Sequence, residues 1–291
     1  MDQPGASLGP QIGVIKRTGA LRLHRWTQPM ISTLLQYQMV TGDLSRSLKL
    51  TAKEPQVARE SAKYLKEIGS IKSIDEFLKN DEVFSFAMKA MGLGDMAYAK
   101  GLMRKVLEGG VDSRTSYANR MADKRYAEFV KVFNFARYGA TTTTFSRTQK
   151  PIVDAYVRQT LEVKSGQSNE AVRLALYFSR KAATLKNSYE VLADRALQQV
   201  VLTSLGLPKE FASANIDKQA AVITNRVKFE DFKDPAKLDT FLKRFATMWD
   251  LQNGGPQAAA SPAVILNTGG TPGGIGQDLL ARIQSFKLGG F

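Results

Sequence analysis

Apolar positions recur at helical spacing along almost the whole chain. Leu34, Tyr37, Leu44 and Leu48 open the pattern, with Gly42 placed to interrupt it. Between 55 and 68, Val57, Ala58, Ala62, Leu65 and Ile68 form a stripe, and Gly69 is placed to end that helix. Ser73 followed three residues later by Glu76 has the form of a capping box ahead of Phe77 and Leu78. Phe84, Ala87, Met88 and Met91 make the next stripe, closed by Gly92. Further helices are predicted over 96–107, stopped by Gly109-Gly110, and over 123–136, with Tyr126, Phe129, Val130 and Phe133 on one face.

The same pattern then returns, as internal repeats do. Lys72-Ser-Ile-Asp-Glu-Phe-Leu78 matches Lys186-Asn-Ser-Tyr-Glu-Val-Leu192 at an offset of 114. That offset also pairs Tyr64 with Phe178, Met88 with Leu202, Met91 with Leu205, Gly92 with Gly206 and Leu93 with Leu207. Further on, Tyr126, Phe129 and Phe133 meet Leu238, Phe241 and Phe245 at an offset of 112, so an indel of two residues separates the blocks. The agreement of apolar positions and helix-ending glycines predicts an internal duplication.

Between the two copies, the four β-branched residues Thr141 to Thr144 disfavour helix and predict an extended turn. A helix is predicted over 151–163, with Ile152, Tyr156, Val157 and Leu161 apolar, followed by a polar break from Lys164 to Asn169. After the second copy, residues 252–262 have the composition of a flexible linker. Residues 263–267 suit a short extended segment, and a Gly-rich turn leads to a final helix over 277–287. Ile275, Leu279, Ile283 and Phe286, spaced by four, four and three, draw one apolar stripe there. Such a stripe has to bury against its own domain, the preferred expectation, or against a partner, and it is the candidate protein-interaction surface.

Composition adds mainly exclusions. The 291 residues include no Cys and one His, which removes disulfide scaffolds, zinc fingers, thiol nucleophiles and iron–sulfur ligation. His24 alone cannot complete a usual metal site. The net charge of +14 raises nucleic acid or acidic surfaces as partners. It is distributed, however: +4 over residues 1–50, +4 over 51–140, +2 over 141–168, +3 over 169–252 and +1 over 253–291. Acids are mixed among the bases, as on a solvated helical face, and nucleic acid is not the expected partner.

No stretch approaches the ~20 apolar residues of a membrane span. Residues 12–15 are too short for the core of a secretion signal, and Lys16-Arg17 follow rather than precede them. The first 29 residues are poorly patterned, and Met30 opens a well-patterned segment, so Met30 is expected to be the natural start.

Thr268-Gly-Gly-Thr-Pro-Gly-Gly-Ile-Gly276 is the one motif with the look of chemistry, since glycines let phosphate approach a helix N-terminus. Only 15 residues follow Gly276, too few for the second strand of a dinucleotide unit, and no Gly-Lys-Ser/Thr completes a P-loop. The expectation is a hinge. The acidic pairs Asp75-Glu76, Asp81-Glu82 and Glu230-Asp231 lie beside lysines and are read as solvated, and no cofactor, metal or catalytic residue is expected. Trp26, Trp249 and the phenylalanines are read as core or interface packing.

Several blocks carry a family resemblance. These are Val57-Ala-Arg-Glu60, Tyr64, Ile68-Gly69, Ile71-Lys-Ser-Ile-Asp-Glu-Phe77, Phe86-Ala-Met-Lys-Ala-Met-Gly-Leu93 and Met96-Ala-Tyr-Ala-Lys100. Tyr156-Val-Arg-Gln-Thr-Leu-Glu162 and Asn169-Glu-Ala-Val-Arg-Leu-Ala-Leu-Tyr177 complete the set. Together they resemble a mainly helical alphaproteobacterial family, a domain of unknown function often encoded among flagellar genes, over roughly residues 30–290. The resemblance implies a flagellar setting and transfers no catalytic residue.

The expected architecture is therefore all-α, with two related helical modules at 30–140 and 169–252 joined by a linker with a helix at 141–168. A poorly patterned extension, 1–29, precedes them, and a Gly/Pro-rich hinge with an amphipathic helix, 253–291, follows. The expected function is a non-enzymatic structural or protein-interaction component of the flagellum (assembly, export or basal structure), bound to a flagellar protein. The expected location is the cytoplasm or, without a cleaved signal, the flagellum. The alternative is a basic helical protein that binds nucleic acid or an acidic surface.

Overall fold

In the computed structural model, which describes residues 31–254, fifteen α-helices follow one another with six 3-10 turns, and there is no strand among the described residues. The first nine helices are α1 (Thr33–Thr41), α2 (Leu44–Lys53), α3 (Pro55–Ile68), α4 (Ile74–Lys79), α5 (Asp81–Ala90), α6 (Lys100–Gly109), α7 (Tyr117–Arg120), α8 (Arg125–Val132) and α9 (Phe135–Tyr138). The remainder are α10 (Lys150–Ser168), α11 (Glu170–Lys181), α12 (Ser188–Leu192), α13 (Arg195–Ser204), α14 (Ile216–Arg226) and α15 (Pro235–Gln252). The all-α class read from the pattern is the class observed.

The first apolar cluster gathers α3 to α9 around Phe77, which is fully buried. Its ring lies 5.0 Å from Phe133, 5.6 Å from Phe84 and 5.7 Å from Phe135. Burying a side chain of this size contributes about 1.5–3 kcal/mol. The inward face of α3 differs from the predicted stripe. Val57, Ser61, Tyr64 and Ile68 point inward, while Ala58, Ala62 and Leu65 are exposed. Tyr64 takes the place expected for Leu65 because its hydroxyl can reach the Thr148 carbonyl at 2.6 Å, which satisfies its one polar atom inside the core.

The four threonines do not form an extended turn. Residues 139–144 make a 3-10 helix. Thr142 donates its hydroxyl to the Gly139 carbonyl at 2.8 Å, and Thr143 donates to the Ile71 carbonyl at 2.6 Å. The hydroxyls satisfy carbonyls that the local propensity would have left open, and this outweighs the β-branched bias. The polar break expected from 164 is also displaced. Helix α10 runs to Ser168, where Asn169 ends it and caps α11 by accepting from the Ala171 N–H at 3.0 Å. Nor is α10 a spacer, because Ile152, Val153, Tyr156 and Val157 are part of the first cluster.

A second cluster gathers α11 to α15 with Phe178, Leu242 and Phe245 fully buried. Tyr37 of α1 belongs to it, so the first helix of the expected module at 30–140 packs with the second cluster. Thus the first cluster runs past residue 140 into α10, and the second takes in α1 from near the start of the described residues.

Several local devices recur at the predicted offset. Ser73 Oγ accepts from the Glu76 N–H at 3.1 Å, and Glu76 accepts from the Lys72 N–H at 2.7 Å. At positions 114 later, Asn187 Oδ1 accepts from Glu190 N–H at 3.0 Å, and Glu190 accepts from Lys186 N–H at 2.8 Å. Asn80 caps α5 through Val83 N–H, and Asp194 caps α13 through Leu197 N–H. Gly92 and Gly206 both sit at positive φ, +72° and +70°, where a side chain is strained. After each, a wide backbone bond closes the helix end: Leu93 N–H to Met88 C=O at 2.8 Å, and Leu207 N–H to Leu202 C=O at 3.0 Å.

Candidate protein-interaction surface

Helix α1 presents the surface whose composition most departs from an ordinary solvated face. Ser32 caps it by accepting from the Leu35 N–H at 3.2 Å. Its first turn is then tied to the far end of the sequence. Asp250 on α15 accepts from the Thr33 N–H at 2.9 Å and from the Thr33 hydroxyl at 2.5 Å. Asn169 adds a donor to the Thr33 hydroxyl at 2.8 Å. A carboxylate on the N-terminal N–H groups of a helix is favoured by the helix dipole, which suits a buried Asp250. One turn on, Tyr37 is buried, and burial together with the nearby Asp239 carboxylate pushes its phenol up to about 12.

Thr33, Tyr37 and Val40 thus face inward. The opposite face is also apolar: Ile31 is 47% exposed, Leu35 49% and Met39 68%. Leu251, the residue after the Asp250 that holds Thr33, is 45% exposed. A helix with apolar side chains on both faces is usually covered on both. Other exposed large apolar residues include Tyr98, Tyr117 and Ile216, as is common on protein surfaces. The stripe predicted at the C-terminus, Ile275, Leu279, Ile283 and Phe286, lies outside the described residues. The signal for the α1 face was present in the sequence, since Ile31, Leu35 and Met39 are spaced by four, but Leu34 and Tyr37 drew the pattern to the other side.

Titratable groups concentrate at a polar seam between the two clusters. Glu162 of α10 is 1% exposed and accepts from Arg158 Nε at 3.1 Å. It also accepts from Arg180 Nε and Nη2, each at 2.9 Å. Lys181 of α11 reaches across to Glu128 of α8 at 2.8 Å. Arg125 donates to the Gly92 carbonyl and pairs with Asp123 at 2.7 Å, and its hydrogen bonds to Asp123 raise its affinity for its proton. Burial alone would raise Asp123, but the Arg125 hydrogen bonds and charge outweigh it and hold the carboxyl below its ordinary value. Tyr177 donates to Asp194 at 2.6 Å, and burial followed by that bond pushes its phenol up. These groups hold helices together, each with a partner on a different element or at a helix end.

Three clefts open on the surface, of about 520, 320 and 220 Å³. The first, between α14 and α15, is lined by Arg226, Lys228, Lys237 and Arg244 over Val227, Phe232 and Phe241. The second, between α3 and α5, mixes Glu60, Asp81 and Glu82 with Lys63 and Lys89. Among the described residues no group of three or more His, Asp or Glu side chains is arranged to hold a metal ion. No described helix is long and apolar enough to cross a membrane.

The family model for proteins of unknown function DUF1217 matches residues 90–238. Among solved structures, the X-ray crystal structure of a protein from Agrobacterium tumefaciens is similar at 43% sequence identity. The match covers 78% of this chain and 98% of that one, with a TM-score of 0.71. No curated protein matches the chain.

Proposed function

We propose that this chain, which belongs to the DUF1217 family of proteins of unknown function, is a non-enzymatic protein-interaction component associated with the bacterial flagellum. The observation that carries the binding part is the outward face of α1. Covering the exposed portions of Ile31, Leu35 and Met39 is worth about 1 kcal/mol each, which together is on the order of a hundredfold in affinity. Asp250 and Tyr37 hold the helix from behind, so a partner would meet a preorganised surface and lose little to ordering. An amphipathic helix of a partner laid along α1 is the mode that fits. The flagellar part rests on the family resemblance carried by the blocks from Val57 to Tyr177.

The duplicated caps at Ser73/Asn187 and Asn80/Asp194, with the paired glycines 92 and 206, support a reading as two related modules. Acids interrupt the basic surface and pair with part of it, as in Arg104–Asp75 at 2.5 Å and Lys243–Asp239 at 2.6 Å. This favours a solvated helical surface over a continuous track for nucleic acid. In-frame deletion of the gene should reduce swimming and filament number, and the wild-type gene should restore both. Normal filaments and normal swimming in the deletion strain would refute the flagellar assignment.

A further inference from the structure

We propose that the cleft between α14 and α15 is a docking site for a short acidic segment of a partner protein, carrying one apolar anchor side chain. The inference rests on the reading of the chain as protein-binding and adds a second surface to α1. The cleft holds about 520 Å³, within the ordinary range for a binding site. Val227, Phe232 and Phe241 form its apolar floor, and Arg226, Lys228, Lys237 and Arg244 stand around it with one acid, Asp231.

These cations are not equivalent. Lys237 already faces Asp231 at 2.6 Å. Arg226, Lys228 and Arg244 make no ion pair and donate no side-chain hydrogen bond among the described residues, and all three are exposed. On the same stretch of chain, Lys233 and Lys243 are paired with acids, with Glu230 at 2.8 Å and Asp239 at 2.6 Å. Three unengaged cations around an apolar floor are complementary to carboxylates flanking an apolar side chain.

Nucleic acid fits the same cleft less well. Phe232 is 3% exposed and meets Phe241 edge-on at 5.0 Å, while Phe241 stacks against Phe178 at 5.5 Å. Phe241 is the one partly exposed ring of this floor, room for a single apolar side chain and not for the succession of stacked bases that single-strand binding uses. Glu230, Asp231, Asp234 and Asp239 also punctuate the segment. A continuous phosphate backbone would have to pass them, whereas a short peptide places its carboxylates one by one.

The test is fluorescence anisotropy with the full chain and a labelled peptide, acetyl-Glu-Asp-Phe-Glu-Asp-amide, at low salt. Its counterparts are the same peptide with Ser for Phe, and a ten-nucleotide oligothymidylate. Binding of the Phe peptide is expected at about 10–100 µM, weakening with salt. Arg226→Glu with Arg244→Glu should weaken it at least about tenfold, the Ser peptide should bind about tenfold less tightly, and Lys105→Glu on a distant exposed position should change nothing. Lys228→Glu serves as an independent variant should the double one misfold. No binding at about 1 mM peptide, equal binding by the folded cleft variants and wild type, or tighter binding of the oligonucleotide than of the peptide would each overturn the proposal. Variants of the α1 face leave this cleft intact, so a failure here and a failure of partner binding through α1 are read separately.

Discussion

Glu162 is where a single substitution should cost most at the seam. Its carboxylate accepts three charge-assisted hydrogen bonds, one from Arg158 and two from Arg180, with 2% of the side chain exposed. Glu162→Gln keeps the shape and one acceptor oxygen. The new amide N–H₂ must then face either Arg180 Nη2 or the Nε donors, so at least one pair becomes donor against donor. Breaking a buried ion pair from one side costs about 3–5 kcal/mol. Here the arginines soften the loss. Arg158 retains the Leu176 carbonyl at 3.1 Å, and Arg180 is 33% exposed and lies 5.1 Å over the Tyr177 ring. We therefore expect a loss of about 2–3 kcal/mol, read from urea unfolding followed by circular dichroism. A double-mutant cycle with Arg180→Gln should return a coupling of at least about 1.5 kcal/mol. A Glu162→Gln variant within about 0.5 kcal/mol of wild type, or a coupling near zero, would refute the seam as the brace between the two clusters.

Two further expectations concern the backbone and the tyrosines. Gly92→Ala and Gly206→Ala force a side chain onto φ near +70° and should each cost about 1–2 kcal/mol in the same unfolding assay. Gly206→Ala should be the costlier, because its new Cβ meets Met248 Cε at 3.2 Å, whereas the nearest atom at Gly92 is 3.7 Å away. The phenol of Tyr37 holds its proton to about 12 in the fold against an ordinary value near 10, and Tyr64, Tyr156 and Tyr177 are raised as well, burial being the largest cause in each. A group raised in the fold contributes stability fully present below the unfolded value and lost as pH climbs toward the folded one. The urea midpoint should therefore fall as pH rises from about 10 to 12, and Tyr37→Phe should make that fall shallower. A midpoint flat across this range, or unchanged steepness in the variant, would contradict the assignment.

The class of the fold was legible because nearly every helix carries an apolar stripe and a stop. The capping box at Ser73 and the glycines at 92 and 206 stand where the spacing put them. What escaped was any feature decided by a polar side chain with a distant partner. Ser61 and Tyr64 displaced Ala62 and Leu65 from the inner face of α3 because Tyr64 finds Thr148, 84 residues away. The threonines at 142 and 143 curl rather than extend because their hydroxyls meet carbonyls at Gly139 and Ile71. Helix α1 left its sequence neighbours for the second cluster because Asp250 holds its first turn from 217 residues away. Periodicity sees the apolar side of a residue and not its hydrogen-bond partner. The α1 surface was hidden for a related reason: a helix with two apolar faces has no clear polarity, so its outward face does not stand out in the pattern.

The outward face of α1 is the surface proposed to bind a flagellar protein. The most direct measurement is affinity capture from motile cells with the full chain and with Leu35→Asp plus Met39→Asp, the captured proteins being identified by mass spectrometry. Both side chains point away from the core, so the variant should keep its circular dichroism spectrum and lie within about 0.5 kcal/mol of wild-type stability. The wild-type chain should capture a flagellar component that the folded variant loses. Capture of the same component by both, or of no flagellar component by the wild type, would overturn this role for the α1 face.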